Sequence, residues 1–273
     1  MTTQQEQQTS GSGVHYASYL ALDRILGAQH CLTEAHDELQ FIVIHQVFEL
    51  WFKLILFELD SVRERLMTDQ VTESTRYLNR ITEIMRAIVG SFPVIETMSA
   101  HDFLAFRSQL SPASGFQSLQ FREIEFLSGQ RNPQYLAALD PDSDTYRRLA
   151  ARLAEPSLWE AFVGLLARAG FTVAQEADVL DTLVRIQTHP AEYPLLNNLI
   201  ETLLDYDEAF ILWRQRHLSM TERMIGRKPG TGQPDVARYD QYGHMSEGGV
   251  AYLSHTLGKK FFPLLWQART QMG

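Results

Sequence analysis

Apolar residues recur every three to four positions along most of the chain, which is the pattern of amphipathic helices. The longest runs cover 37–67 and 195–225, and a third covers 72–89 and ends at Gly90 and Pro93. Shorter helical patterns are predicted at 99–109, 115–128, 143–154, 157–169, 174–188 and 249–262. No convincing segment alternates apolar and polar residues as a strand would. The pattern therefore predicts an all-α fold, a single helical domain built on two long helices.

Two segments depart from this pattern. Residues 1–13 are rich in Gln, Thr, Ser and Gly, which predicts a disordered tail before a domain that covers 14–273. Residues 226–249 are rich in Gly, Pro and polar side chains. A loop of that length inside a compact helical protein is usually functional or disordered.

Composition narrows the class of protein. The 273 residues are 45% hydrophobic, which is enough for a buried core, and the formal net charge of −9 argues against nucleic acid or an anionic membrane as a partner. The single cysteine, Cys31, excludes an internal disulfide and a multi-cysteine metal site, as expected in a reducing cytoplasm. The polar N-terminus predicts no signal peptide. Polar residues interrupt the most apolar stretch, 39–48, so we expect no membrane span.

Two histidines lie in apolar stripes of the long predicted helices. His45 shares a helical face with Phe41 and Phe48, and His217 follows Trp213 by one turn. Two interpretations remain open at this point. Each imidazole is a hydrogen-bonded core residue, or the two serve a common ligand or metal.

Other candidate groups give weaker signals. Arg107 also lies in an apolar stripe. It is either a snorkelling or structurally paired arginine, or a clamp on a substrate carboxylate. His45 and Glu49 lie one turn apart and suit a single metal ion, but no second His/carboxylate pair completes a site. The Glu-x-x-His motifs of di-iron bundles are absent, as are a phosphate-binding Gly-rich loop after a strand and a nucleophile elbow.

Four blocks of the sequence resemble the tryptophan 2,3-dioxygenase family. HDELQFIVIHQVFELWFKLILFELDSVRERL and FLAFRSQLSPASGFQSLQFREIEFLSG resemble its two signature blocks, WRQRHLSMTERMIGRKPGTG its third block, and YASYLALDRIL its N-terminal block. The similarity runs in order from about Tyr16 to Arg269. It implies a cytoplasmic, all-α homotetramer with one b-type haem per subunit. It also implies an oxidoreductase that combines dioxygen with the indole C2=C3 bond of L-tryptophan, or of a close derivative, to give N-formylkynurenine.

The resemblance assigns roles to individual residues. His217 matches the haem's proximal ligand, and His45 matches the distal base that hydrogen-bonds the indole N–H. Arg107 matches the clamp on the substrate carboxylate, and Thr231 matches the hydroxyl that meets the substrate ammonium. Phe41 matches an aromatic wall of the indole pocket. This agrees with the physical pattern, since a haem requires an apolar cavity and one axial imidazole.

Further matches concern the edges of the pocket. Phe103 stands where family members carry Tyr or Phe, so a hydrogen bond from a phenol to the carboxylate is missing here. Gly115 matches a pocket glycine beside the bound oxygen. Tyr16, Tyr19 and Leu20 match N-terminal residues that reach into a neighbouring subunit's pocket.

The chain departs from the family after the Gly-Thr-Gly motif, where about ten extra residues fall within 232–247. In the family the 226–249 loop is a lid over the substrate, so an enlarged lid would alter the preferred substrate or the fate of the oxygenated product. The alternative is a surface elaboration. His244 and Tyr239 are candidate pocket residues in the insertion, without support from spacing.

Two other functions therefore stay open. One is a haem monooxygenase that gives an oxindole or hydroxylated product from tryptophan, or from a modified tryptophan such as a methylated one, in secondary metabolism. The other is a sensor that binds haem or tryptophan without turnover. The joint presence of His45, Arg107 and Thr231 argues against a sensor, which would need only part of this set.

Overall fold

The computed structural model describes residues 13–137, 139–226, 228, 231 and 249–272. The regular elements of this part of the chain are helical, which confirms the predicted all-α class. The helices are α1 Tyr16–Tyr19, α2 Leu22–Leu26, α3 Glu38–Met67, α4 Val71–Gly90, α5 Phe92–Ile95, α6 Ala100–Arg107, α7 Leu119–Ser128, α8 Gln134–Ala137, α9 Asp144–Ala154, α10 Leu158–Arg168, α11 Glu176–Thr188, α12 Pro194–Ile225, α13 Gly249–Thr256 and α14 Pro263–Gln271, with 3-10 turns at Ser108–Leu110 and Gly115–Gln117. The predicted tail, apart from Gly13, and the 232–247 insertion with Tyr239 and His244 lie outside the described residues.

Three long helices form the centre of the fold. Helix α4 packs against both α3 and α12, and α3 also packs against α7 and α10. Leu59 of α3, Leu78 of α4 and Leu203 of α12 are fully buried in this core. Burial of each such side chain stabilises the fold by about 2 kcal/mol, so the apolar stripes hold the helices together.

Helix α7, which packs beside α3, has clear residue signals at both of its ends. The Ser118 side chain accepts the backbone N–H of Phe121, which caps the first turn. The helix ends at Gly129, whose φ of 121° is a conformation that few other residues adopt. The ten residues between these boundaries pack against α3 and α9.

The predicted last helix, 249–262, is wrong in its extent. Helix α13 ends earlier, and α14 begins with a proline after a non-helical segment. The buried carboxylate of Asp207 accepts the backbone N–H groups of Phe261 at 2.9 Å and Phe262 at 3.1 Å, and the indole N–H of Trp266 at 2.9 Å. Those backbone groups would bond within a continuous helix, so the tertiary hydrogen bonds to Asp207 account for the break.

Helix α3 is long and apolar enough to cross a membrane, judged by length and composition alone. The expectation of no span rested on polar interruptions such as Gln40 and His45. Core helices meet the same criterion, and α3 contains the buried Glu38, which accepts the backbone N–H of Leu32 at 2.7 Å. The outer face of α3 leaves several apolar side chains exposed, namely Leu39, Val43, Val47, Leu50 and Phe57.

Candidate active site

A cavity of about 450 Å³ opens between α3, α6, α7 and α12. Most of its wall is aromatic and aliphatic, with Phe48, Phe52, Phe121 and Trp213 among the lining residues. The cavity brings together most of the residues that the sequence predicted for the site: Phe41, His45, Phe103, Arg107, Gly115, His217 and Thr231. These positions are far apart in the chain, so the packing of the helices assembles them.

His45 is held in one orientation by its own helix. Its Nδ1 atom lies 2.7 Å from the carbonyl oxygen of Phe41, and its ring centre lies 4.0 Å from the Phe41 ring. Burial lowers the pKa of His45 below 6.5, opposed by the hydrogen bond to Phe41 and by the charge of Glu49. The imidazole is therefore neutral at physiological pH. Because a carbonyl can only accept, Nδ1 carries the proton and Nε2 keeps its lone pair.

His217 has different surroundings. Its ring stacks on Trp213, with centres 5.1 Å apart and planes 16° apart, and lies 6.2 Å from Phe92. Burial, and secondarily repulsion from His45 in its protonated form, lowers the pKa of His217 to about 4. Its buried Nδ1 atom has no hydrogen-bond partner within the described ranges. The hydrogen-bonded core interpretation thus fits His45 but fails for His217.

Arg107 and Thr231 contribute polar groups to the same cavity. Arg107 ends α6, where the adjacent Phe106 is fully buried in a small cluster with Met98 and Met224. The Thr231 hydroxyl donates to the carbonyl oxygen of Ala113 at 2.7 Å. This bond connects Thr231 to the cavity-lining segment 113–115.

The N-terminal candidates do not reach this cavity within one chain. Tyr16 and Tyr19 are each 76% exposed, and Leu20 is half-buried. Helix α1, which carries both tyrosines, packs against α2. Any contribution of these residues to a pocket therefore requires a second subunit.

The sequence prediction missed a set of polar residues on the cavity wall. The carboxylate of Glu125 pairs with the guanidinium of Arg122 and with that of Arg214, whose Nη2 atom lies 3.4 Å away. Gln120 lies on the same helix and donates through Nε2 to the carboxylate of Glu49 at 2.7 Å. Helical spacing predicts only that Arg122 and Glu125, three residues apart on one helix, are neighbours. The pairs of Glu125 with Arg214 and of Gln120 with Glu49 join different helices, so spacing does not predict them.

The donor set suits haem better than a bare metal ion. Across the described part of the chain, no group of three or more His, Cys, Asp or Glu side chains is placed to hold a metal. A haem supplies four iron ligands itself and requires an apolar cavity and an axial imidazole from the protein. The neutral imidazole of His217 lines the cavity and is not engaged through Nδ1 by any described residue, which fits that requirement.

Comparison with known proteins agrees with the geometry. The model of the family described as tryptophan 2,3-dioxygenase matches residues 1–170. A tryptophan 2,3-dioxygenase of Herpetosiphon aurantiacus is 42% identical over 272 residues, covering 94% of this chain and 98% of the relative. Those of Nocardioides sp. and Serratia proteamaculans are 40% and 36% identical, covering 96% and 94% of this chain and 96% and 93% of the relatives. The chain belongs to the tryptophan 2,3-dioxygenase family.

Proposed function

We propose that this chain is a haem-dependent oxygenase that acts on the indole C2=C3 bond of L-tryptophan, or of a close derivative, and yields N-formylkynurenine. The observation that carries the proposal is that one apolar cavity holds two neutral imidazoles. That of His45 is an acceptor, and that of His217 has no partner for Nδ1 among the described residues. The polar groups of Arg107 and Thr231 supply recognition of the amino acid end.

His217 would hold a b-type haem by binding its iron through the imidazole. A metal-ligating imidazole must be neutral, and burial keeps His217 neutral down to about pH 4. When bound, the haem would supply the activation of dioxygen that its addition to the indole ring requires. The stacked Trp213 ring restricts rotation of the imidazole on one side.

His45 orients the indole ring. Its free Nε2 lone pair accepts the indole N–H, since Nδ1 already donates to Phe41. The Phe41 ring, which packs 5.7 Å from Phe103, forms an aromatic wall for the substrate. A fixed acceptor and an apolar wall together hold the reacting carbon in a single position, which is a major contribution to catalysis.

Arg107 and Thr231 fix the other end of the substrate. The planar guanidinium of Arg107 matches a carboxylate with two parallel hydrogen bonds. The Thr231 oxygen retains acceptor capacity for an ammonium while its proton goes to Ala113. Phe103 has no hydroxyl, so carboxylate recognition here depends on Arg107. A Cβ atom on Gly115 would point into open space, so this position leaves room for dioxygen beside the substrate.

The working unit would be a cytoplasmic homotetramer. Apolar side chains such as Leu50 and Phe57 remain exposed on α3, and a surface of this kind is typical of a subunit interface. Exposed Tyr16 and Tyr19, together with Leu20, would then enter a neighbour's pocket.

Product analysis tests this function directly. Reduced, haem-loaded protein is incubated with L-tryptophan under isotopically labelled dioxygen, and the mass of the product is measured by mass spectrometry. Two labelled oxygen atoms are expected. A product with one labelled atom would indicate a monooxygenase, and unchanged tryptophan would indicate a sensor. The monooxygenase alternative rests on the 232–247 insertion, which lies outside the described residues.

A further inference from the structure

Glu49 is a cavity residue without a role in the function proposed above. It lies one turn after His45 on α3 and lines the same cavity. Gln120 of α7 donates through Nε2 to the Glu49 carboxylate at 2.7 Å and to the Glu49 backbone carbonyl at 2.8 Å. A side chain of another helix therefore fixes this carboxylate beside the histidine. No third ligand for a metal accompanies the pair within the described ranges.

The charge of Glu49 is less compensated than that of its neighbour in the wall. Glu125 is paired with two guanidinium groups, those of Arg122 and Arg214. The Glu49 carboxylate accepts a hydrogen bond from a neutral amide, that of Gln120. A negative charge next to an imidazole in a low-dielectric wall favours positive charge on the ring, and Glu49 has this effect on His45.

We propose that Glu49, oriented by Gln120, is a positioning residue that strengthens His45 as the acceptor of the substrate's indole N–H. The carboxylate makes Nε2 of His45 more basic and stabilises the positive charge that develops there as the N–H is drawn to it. This inference rests on the proposed role of His45. It predicts that Glu49 contributes to binding only for ligands that carry the indole N–H.

The preference for L-tryptophan over 1-methyl-L-tryptophan isolates this contribution. The preference is the ratio of the two dissociation constants, measured by calorimetry on the haem-loaded protein at neutral pH. Steric effects of the methyl group act alike in wild type and Glu49→Gln, so they cancel when the two ratios are compared. Repulsion between Glu49 and the ligand carboxylate acts alike on both ligands, so it cancels within each ratio. We expect Glu49→Gln to lower the preference by about threefold to tenfold, the range for losing charge assistance to one hydrogen bond.

Matched variants separate charge from structure. Glu83→Gln makes the same change on the exposed face of α4, where Glu83 is 67% exposed, and should leave the preference unchanged. Glu49→Asp keeps the charge and should preserve more of the preference than Glu49→Gln. Gln120→Leu frees the carboxylate without removing it and should give an intermediate value. These two variants keep the proposal testable if Glu49→Gln does not fold.

Combining the change with His45→Ala shows whether Glu49 acts through the histidine. His45→Ala should abolish the preference, and Glu49→Gln should add nothing in that background. A wild-type protein without the preference, or a His45→Ala variant that keeps it, would overturn the role of His45 and this inference with it. If His45→Ala abolishes the preference but Glu49→Gln retains it, or if Glu49→Gln acts equally in both backgrounds, only the role of Glu49 is overturned.

Discussion

The Nδ1 atom of His45 lies 2.7 Å from the carbonyl oxygen of Phe41, one turn earlier on the same helix. This contact determines the tautomer, because the carbonyl requires a proton on Nδ1 and so leaves Nε2 as an acceptor. Phe41 thus contributes both an aromatic wall and the hydrogen bond that prepares the imidazole. The acceptor is in place before any substrate binds, and catalysis benefits from such preorganisation.

Replacing His217 should remove the haem without unfolding the chain. Its buried Nδ1 atom has no hydrogen-bond partner in the described part of the chain, so His217→Ala removes the proposed haem ligand but no hydrogen bond of Nδ1 that holds the helices together. We expect loss of the Soret band in protein reconstituted with haem, together with a wild-type helical circular dichroism spectrum. His101→Ala, at an exposed histidine, is the control. A wild-type Soret band in the His217 variant would refute the assignment.

Tryptophan binding should persist to unusually low pH for a histidine-dependent site. The accepting form of His45 is neutral, and burial lowers its pKa below 6.5, so protonation begins only at more acidic pH. The dissociation constant of L-tryptophan should therefore begin to rise at a lower pH than it would for a histidine of ordinary pKa. The His45→Ala variant should bind L-tryptophan more weakly while keeping its haem. Its dissociation constant should not show the rise at acid pH. A midpoint of this weakening in the wild-type protein at or above the ordinary histidine pKa of 6.5 would contradict the lowered pKa.

Arg107→Lys tests the carboxylate clamp. Lysine keeps the positive charge but loses the planar fork, so the affinity for L-tryptophan should fall by about tenfold. Tryptamine lacks the carboxylate, and its affinity should change little. Calorimetric titration with both ligands measures the difference. Equal losses for the two ligands would show that Arg107 supports the cavity rather than the carboxylate.

Thr231→Val tests the hydroxyl beside the Ala113 carbonyl. The variant removes the hydrogen bond of 2.7 Å and the oxygen proposed to meet the substrate ammonium. Affinity for L-tryptophan should fall by about threefold to tenfold, whereas indole-3-propionate, which has no ammonium, should bind as before. Thr231→Ser should restore the tryptophan affinity. If valine is as good as threonine for both ligands, the hydroxyl has no role in recognition.

Asp207→Ala should be among the most destabilising single changes. Asp207 is fully buried and accepts three N–H groups, from Phe261, Phe262 and Trp266. Leaving these donors unpaired should lower the free energy of unfolding by about 3 kcal/mol or more. Urea denaturation measures the loss, with the exposed Asp181→Ala as a control expected within about 0.5 kcal/mol of wild type. A small effect at Asp207 would mean that water or another group replaces the carboxylate.

The sequence alone predicted the helices well because helix formation is a local property. The apolar period places α3 and α12 within a residue or two of their observed ends, and it assigns His45, Arg107 and His217 to apolar stripes. Spacing along one helix determines whether a residue lies on its apolar face, whichever helices pack against that face. The family resemblance, confirmed by the comparisons, supplied the roles that spacing left open.

Tertiary structure decided the interactions between elements. The break before α14 depends on Asp207 of α12, the orientation of Glu49 depends on Gln120 of α7, and the pairing of Glu125 depends on Arg214 of α12. It also distinguished the two histidines. Nδ1 of His45 is hydrogen-bonded to its own helix backbone, whereas Nδ1 of His217 has no partner among the residues that the structure describes. The physical reason is that periodicity shows which face of a helix is buried but not which groups it is buried against, and those groups determine the charge, the tautomer and the free lone pairs of a site.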